Sequence, residues 1–331
     1  MVNNGRAPAV IALVVVIAAL LVIAVGLLIG AKPLTPQIVL NVLFFPDSKI
    51  DSVLVWTLRL PRSLAAFVAG AGLGVSGYLL QILTRNPLAG PGLTGVTSGA
   101  VAPIVFCFIF LPWLSSVFYP LVGMAGGLAA AFVTFWISRG GRGRPLHLAL
   151  GGISVSLFLG AVTAYILLLS GTQTPSLLFW LTGGLQGRSW TQLAFMVPWV
   201  LAGVGGTLSV ERAIVLLMLS EDVAASMGLR LAFWKPLLLF LAVLPVAGIA
   251  PVTGPLTFVG LVAPHIVRLL KPGTSRWSII LTAALGGLIV VTADVIARNI
   301  ALPQELPISI ITALTGGPVF IYLVQRRSVS F

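Results

Sequence analysis

The segment APAVIALVVVIAALLVIAVGLLIGA, residues 7–31, contains no charged side chain. A transmembrane helix needs about 20 mostly apolar residues, so this segment is long enough to cross a bilayer. It is too long for the apolar part of a signal peptide, and no convincing small-residue cleavage site follows it. We therefore expect a first membrane span here, with the N-terminal tail in the cytoplasm.

The composition of the whole chain also indicates a membrane protein. Of its 331 residues, 58% are hydrophobic and 8% are charged, whereas soluble domains carry about 25% charged residues. The formal net charge of +12 would suggest nucleic-acid binding in a soluble protein. In a membrane protein the same excess has another cause, because cytoplasmic loops collect Lys and Arg. We expect contact with membrane lipid and no nucleic-acid partner.

Further apolar runs follow along the chain. Seven more spans are expected near 62–83, 93–113, 116–138, 145–170, 191–210, 277–297 and 307–325. The uncharged stretch 236–264 is broken by Pro and Gly, and we expect a helix to about Ala250 and a broken return ending near Arg268. The expected fold is an all-α polytopic membrane protein. It forms one domain, 1–331, with about ten transmembrane helices and both termini in the cytoplasm.

The basic residues are distributed unevenly across this topology. Thirteen lie on the expected cytoplasmic side: Arg6, Arg85, Arg139, Arg142, Arg144, Arg212, Arg230, Lys235, Arg268, Lys271, Arg276, Arg326 and Arg327. Six lie outside: Lys32, Lys49, Arg59, Arg62, Arg188 and Arg298. This asymmetry follows the positive-inside rule. A single crossing of 236–264 would distribute the charges more evenly, so we favour ten spans.

Glycines occur at spacings of three or four residues within several expected spans. Examples are Gly70, Gly74 and Gly77 in one span and Gly286 with Gly287 in another. Small residues at such spacings allow helix backbones to approach closely. We expect a tightly packed helical bundle.

The segment SEDVAASMG, residues 220–228, predicts a short helix outside the bilayer. Ser220 is a suitable N-cap, and Glu221 and Asp222 complement the positive end of the helix dipole. Gly228 is placed to end the helix. One face would expose three apolar side chains: Val223, Ala224 and Met227. Such a helix suits either docking of a soluble partner or an interfacial position on the membrane.

Two arginines, Arg59 and Arg62, flank the start of the second span on the outer side. Basic residues at a helix N-terminus are unfavourable for the helix dipole. An acidic partner that docks from outside, or lipid headgroups, would account for them.

Asp294 and Arg298 stand four residues apart near the outer end of the ninth span. An acid followed by a base at this spacing is a favourable helix pair, and pairing lowers the cost of an acid near hydrocarbon. Intramembrane acids also occur in proton relays. We favour a structural ion pair.

Several functional signatures are absent from the sequence. The chain has no G-x-x-x-x-G-K-[ST] motif, so it cannot bind ATP as a P-loop protein does. No nucleophile–base pair and no H-E-x-x-H motif is visible. The single cysteine, Cys107, and two histidines 118 positions apart argue against disulfides and against a zinc site. We expect neither an enzyme nor a metal or cofactor bound by this chain.

A set of motifs along nearly the whole chain resembles the FecCD-type permeases. These are membrane subunits of binding-protein-dependent ABC importers for iron-siderophores, haem and cobalamin. The motifs are RLPR (59–62), GYLLQ (77–81), TRNPLA (84–89), PGLTG (91–95), SGA (98–100), FWLTGG (179–184), FVGLVAPHIVR (258–268), ADVIAR (293–298), ELPI (305–308) and GGPVF (316–320). One departure is Ser309, where relatives commonly carry Gly.

This resemblance implies a type II importer bundle in a bacterial cytoplasmic (inner) membrane, as a multi-pass subunit with several partners. These are a second permease subunit, identical or homologous, two cytoplasmic ATPase subunits that carry ATP and Mg²⁺, and a periplasmic or lipid-anchored substrate-binding protein. Arg59, Arg62 and Arg298 match the family arginines that dock the binding protein. The segment 220–229 matches the coupling helix that contacts the ATPase, and Asn86-Pro87 matches a motif near that interface.

The function implied by the resemblance is import of a ferric siderophore by ATP-driven alternating access. Haem or cobalamin are alternative cargoes, because the motifs describe machinery that the family shares. An ion-coupled secondary transporter is an alternative from a different class, and it would need a buried ionisable relay.

Overall fold

A computed structural model describes residues 6–140, 145–170, 175–219, 221–302 and 304–325. Within these ranges the chain is helical and has no β-strand. The helices are α1 (Arg6–Leu28), α2 (Pro36–Phe44), α3 (Ile50–Val53), α4 (Leu60–Thr84), α5 (Val96–Phe110), α6 (Tyr119–Gly140), α7 (Pro145–Ser170), α8 (Pro175–Leu181), α9 (Trp190–Ser209), α10 (Glu211–Met218), α11 (Glu221–Ser226), α12 (Leu231–Thr253), α13 (Val259–Leu270), α14 (Ser275–Asn299) and α15 (Ile308–Gln325).

Seven helical segments of the described chain are long and apolar enough to cross a membrane. Three shorter apolar helices accompany them: Val96–Phe110, Val259–Leu270 and Ile308–Pro318. The all-α polytopic class is therefore confirmed. The count of ten crossings stays a prediction, because length and composition identify seven.

The stretch expected to be broken is divided between α12 and α13. Helix α12 continues to Thr253, three residues beyond the expected end, and α13 starts at Val259. The break contains Gly254 with φ +66°, where a Cβ would overlap the carbonyl oxygen of Trp180. The backbone turns here because α8 lies directly against it. Interrupted helices of this kind are tolerated when surrounding protein covers the freed backbone groups.

Helix α4 forms the centre of the bundle and packs against α9, α12, α13 and α14. A Cβ on Gly70 would overlap the carbonyl of Gly286 in α14, and a Cβ on Gly77 would overlap the carbonyl of Gly260 in α13. Gly260 also approaches the 3-10 turn at 91–94, since its Cβ would lie 2.6 Å from Pro91 Cδ. The start of α13 and the 3-10 turn at 91–94 therefore meet beside α4.

Two long segments between the expected spans contain structure that the hydropathy pattern does not predict. Residues 32–58 include α2, α3 and the start of a π-helical turn at Leu54–Arg59. Residues 170–189 include α8. These helices are shorter than a membrane span, so a search for spans passes over them. The π-helical turn leads directly into α4 and positions the first of the outer arginines.

Candidate functional site

Charged side chains gather at one end of the bundle, called the network end, around Asp294. The carboxylate of Asp294 is fully buried. Arg62 Nε donates to Asp294 Oδ1 at 2.8 Å, and Arg62 Nη1 donates to Glu305 Oε2 at 2.7 Å. Arg298 Nη2 lies 3.1 Å from Asp294 Oδ2. Two arginines and two acids thus balance in charge, which is the condition for burying ions at acceptable cost.

Arg59 lies beside this network with a different role. Its Nη1 donates to the carbonyl oxygen of Leu27 at 2.6 Å, and its Nη2 donates to that of Lys32. These carbonyls stand at the C-terminal end of α1 and just beyond it, where a helix leaves its acceptors unsatisfied and favours a cation. Arg59 therefore attaches α1 to the start of α4.

The three arginines expected to dock the binding protein are largely buried within this chain. Arg59, Arg62 and Arg298 have relative exposures of 7%, 6% and 7%. The described contacts of these arginines are to groups of their own chain, and docking of a binding protein stays a prediction. Arg62 Nη2 is buried and has no hydrogen-bond partner among the described residues.

A second group of predicted residues lies at the opposite end of the bundle, on α11. Val223 and Met227 expose 44% and 61% of their surfaces, whereas Ala224 is fully buried. The expectation that Ala224 shares the exposed face is therefore wrong, because it packs inward. Ser220 lies outside the described residues, so its capping role stays a prediction.

Helix α11 is held firmly despite its length of six residues. Glu221 Oε2 accepts from Lys235 Nζ of α12 at 2.6 Å. After Ser226 the chain turns at Gly228, with φ +86°, and Leu229 N donates to Ala224 O at 2.9 Å. The helix is thus shorter than the expected 220–229 segment. Its remaining acid, Asp222, is exposed in the first turn.

The expected inner-end motif Asn86-Pro87 follows α4 directly. Arg85 ends the helix with φ +49°, and Asn86 N donates to Gln81 O at 3.2 Å. Asn86 Oδ1 accepts from Leu88 N at 2.9 Å and so forms a local turn.

A small hollow joins this turn to the neighbouring helices. It is lined by Arg85 of the turn, Leu217 of α10, Glu221 of α11 and Lys235 of α12. The structure therefore brings the residue preceding Asn86 against the α10–α11 segment.

Two features of the network end were missed by reasoning from sequence. Glu305 is recognised from the sequence only as part of the ELPI motif, but its partner Arg62 is 243 positions away. Arg188 was counted only as an outer charge, although it lines a cavity with aromatic residues.

The departure from the family at Ser309 has a local effect, since Ser309 Oγ donates to Pro255 O at 2.7 Å. No spacing rule could have revealed these long-range contacts.

The sequence model of the FecCD transport family matches residues 13–326 of this chain. This chain belongs to the FecCD transport family. It is 36% identical over 307 residues to the Fe(3+)-citrate import system permease protein YfmD of Bacillus subtilis (strain 168), covering 92% of this chain and 91% of the relative. It is also 37% identical over 278 residues to the cobalamin import system permease protein BtuC of Halobacterium salinarum (strain ATCC 700922 / JCM 11081 / NRC-1), covering 84% and 74%.

A solved structure agrees with this membership. An inward-facing metal-chelate type ABC transporter superposes with a TM-score of 0.84 at 29% sequence identity, and the match covers 96% of this chain and 99% of the other. The FecCD-family chain is therefore a transport permease subunit of the ABC importer type and not an enzyme.

Proposed function

We propose that this FecCD-family chain carries a ferric siderophore across a bacterial inner membrane, as one subunit of an ATP-driven importer. The observation that carries the proposal is family membership over nearly the whole chain, together with a relative named for ferric citrate and a structural neighbour of metal-chelate type. Haem and cobalamin remain alternative cargoes, the second because a cobalamin permease is 37% identical over 84% of this chain.

The α10–α11 segment supports coupling to ATPase subunits. Two exposed apolar side chains, Val223 of α11 and Met227 of the turn directly after it, lie beside the ion pair that fixes α11 to α12. An exposed apolar surface on a rigid element is typical of a protein contact. In the proposed complex this surface lies in a cleft of an ATPase subunit, with Asn86-Pro87 close to the same interface.

The network end supports docking of a substrate-binding protein from outside. Arg62 is held by Asp294 and Glu305, and Glu305 is the more exposed of these two acids, with 25% of its side chain accessible against 0%. A carboxylate of the partner can replace Glu305 in its contact with Arg62 Nη1, because Glu305 is the accessible acid of the network. In the proposed complex Arg59 and Arg298 contribute positive potential behind this contact.

The same network argues against the alternative of an ion-coupled transporter. A proton relay needs an acid that can gain and lose its charge during the cycle. Asp294 instead is fully buried and is held between two arginines, Arg62 and Arg298. It therefore suits a structural ion better than a proton carrier.

The proposal predicts that docking and hydrolysis are coupled in the reconstituted complex. The complex contains this chain, its ATPase subunits and its binding protein. We expect its rate of ATP hydrolysis to rise when the binding protein carries a ferric siderophore. The controls are the binding protein loaded with haem or with cobalamin, and the complex without binding protein. Equal stimulation by all three loaded forms would contradict the siderophore assignment, and no stimulation by any would contradict the importer assignment.

A further inference from the structure

A cavity of about 230 Å³ opens beside the charged network, between α5, α6, α8, α9 and α12. Its polar lining groups are Arg188, Gln192, Ser116 and Tyr119, and its main aromatic walls are Phe108 and Trp180. Phe108 and Tyr119 meet edge to face, with ring centroids 6.5 Å apart. No Asp or Glu is among the described lining residues.

Arg188 differs from Arg59, Arg62 and Arg298 in its contacts with the described residues. Among the described residues its guanidinium makes no ion pair and no hydrogen bond, and its Nε is buried. Burial, with the nearby charge of Arg62 adding to it, lowers the pKa of Arg188 to about 10, so the group stays protonated at neutral pH. A partly buried, unpaired cation costs stability and is a candidate functional group.

The segment that carries Arg188 is fixed by its surroundings. Gly184 N donates to Thr253 O at 2.9 Å, and Ser309 N donates to Gly183 O at 3.3 Å. Gly183 has φ +85°, and a Cβ there would overlap the carbonyl oxygen of Pro255. The backbone just before Arg188 is therefore anchored to α12 and α15.

The remaining polar groups of the cavity can act as donors. Gln192 Oε1 already accepts from Ser189 N at 2.9 Å, which leaves the amide N–H groups of Gln192 for the cavity. The hydroxyl groups of Ser116 and Tyr119 can also donate. A guanidinium with several donors and flat apolar walls suits a planar anionic group with oxygen acceptors, such as a carboxylate or a catecholate.

We propose that this cavity binds the anionic arms of a ferric chelate, with Arg188 as its principal contact. The inference rests on the proposed function, because it assumes that a chelate passes this end of the bundle. The volume is smaller than the roughly 300–1,000 Å³ of sites that enclose a whole drug-sized ligand. The cavity therefore holds one arm of the chelate while the rest stays outside it, and it favours anionic over neutral chelates.

Equilibrium dialysis of the full chain in lipid nanodiscs tests the site without partner proteins. The probes are radiolabelled ferric citrate, which is anionic, a neutral ferric trihydroxamate, and iron-free citrate. We compare the wild type with Arg188→Gln, Arg188→Lys and Lys49→Gln. The last variant removes an outer, exposed charge that does not line the cavity. We expect ferric citrate to bind the wild type and Lys49→Gln with equal affinity. Its affinity should fall about tenfold or more in Arg188→Gln. Part of the lost affinity should return in Arg188→Lys.

Several results would overturn the proposal. The proposed site would be refuted if ferric citrate does not bind, or if it binds Arg188→Gln and the wild type with equal affinity. If the neutral ferric trihydroxamate binds with the same affinity as ferric citrate, the cavity has no preference for anions. Iron-free citrate that binds as tightly as ferric citrate would overturn the assignment to a chelate.

Thermal unfolding separates binding from a structural role. Because Arg188 has no partner to lose, Arg188→Gln should unfold at the same or a higher temperature than the wild type. A clearly lower temperature would instead assign Arg188 a structural role. The dialysis uses neither ATP nor a binding protein. A negative result in the dialysis therefore refutes the cavity and not the proposed function, and a negative result in the hydrolysis experiment refutes the proposed function independently.

Discussion

Asp294 is the residue on which the network end depends, because it contacts arginines from two helices. Arg62 reaches it from α4, and Arg298 belongs to its own helix, α14. A buried ion pair adds little to stability compared with apolar packing, but removing one partner leaves a buried charge without compensation. The network therefore fixes α4 against α14 in one arrangement. Removal of any one of its charged side chains should lower the stability of the bundle.

We expect Asp294→Asn to lower the free energy of unfolding by about 3 kcal/mol, because it removes the acid that compensates two buried arginines. The measurement is a titration of unfolding with sodium dodecyl sulfate. The matched control is Asp51→Asn, which breaks an exposed pair with Lys32 and should cost less than about 1 kcal/mol. Equal effects of the two substitutions would contradict the structural role of Asp294.

The sequence predicts only part of this network. The pairing of Asp294 with Arg298 follows from their spacing of four residues on a helix. The contact of Arg62 with Asp294 joins residues 232 positions apart, and Arg59 bonds to carbonyls of another helix. Such contacts depend on how helices pack, which no local pattern encodes. For the same reason the sequence could not reveal that the outer arginines are buried.

At the scale of elements, hydropathy and glycine spacing predict most of the bundle. The helices of 20 or more residues fall close to the expected spans, since a long apolar run has few alternatives to a membrane helix. Gly70 and Gly77 meet α14 and α13, as expected for small residues at helix contacts. The short helices α2, α3 and α8 were missed because they lie in segments read as loops.

Gly77→Ala should destabilise the bundle, because a Cβ at this position would overlap the backbone of α13. Backbone cannot move aside as a flexible side chain can, so we expect a loss of about 3 kcal/mol. Gly205→Ala in α9 is the control, since nothing lies within 4 Å of its added Cβ. That change should be neutral or stabilising by about 0.5–1 kcal/mol. Thermal unfolding followed by tryptophan fluorescence compares the two, and a tolerated Gly77→Ala would refute the close contact.

The exposed face of α11 is predicted to transmit ATP hydrolysis. Met227→Glu places a charge in the proposed apolar contact and should abolish binding-protein-stimulated ATP hydrolysis while leaving the unfolding temperature unchanged. The control is Val117→Glu, a similarly exposed apolar position with a relative exposure of 68% at the other end of the bundle. If Met227→Glu hydrolyses ATP like the wild type, α11 is not the coupling element.

At the scale of the whole molecule, the two functional ends must face opposite sides of the membrane, because the ATPase subunits and the binding protein dock on opposite sides in the proposed complex. The excess of basic residues on one side predicts that α11 lies in the cytoplasm and the network end outside. The chain has one cysteine, Cys107, which is buried, so its replacement gives a suitable background for labelling.

In a Cys107→Ser chain, Met227→Cys should react with a membrane-impermeant maleimide only from the cytoplasmic side. Val117→Cys should react only from the outside, because both positions are exposed at opposite ends. Sealed right-side-out and inverted vesicles provide the two directions. Labelling of both cysteines from the same side would contradict the ten-span topology.

The most direct test of the account is uptake of a radioactive ferric siderophore into proteoliposomes that contain this chain, its ATPase subunits and enclosed ATP. With the loaded binding protein outside, we predict accumulation that requires hydrolysable ATP and stops in Met227→Glu. Uptake that continues with a non-hydrolysable analogue and is driven by an ion gradient would contradict the assignment of this chain to an ATP-driven importer.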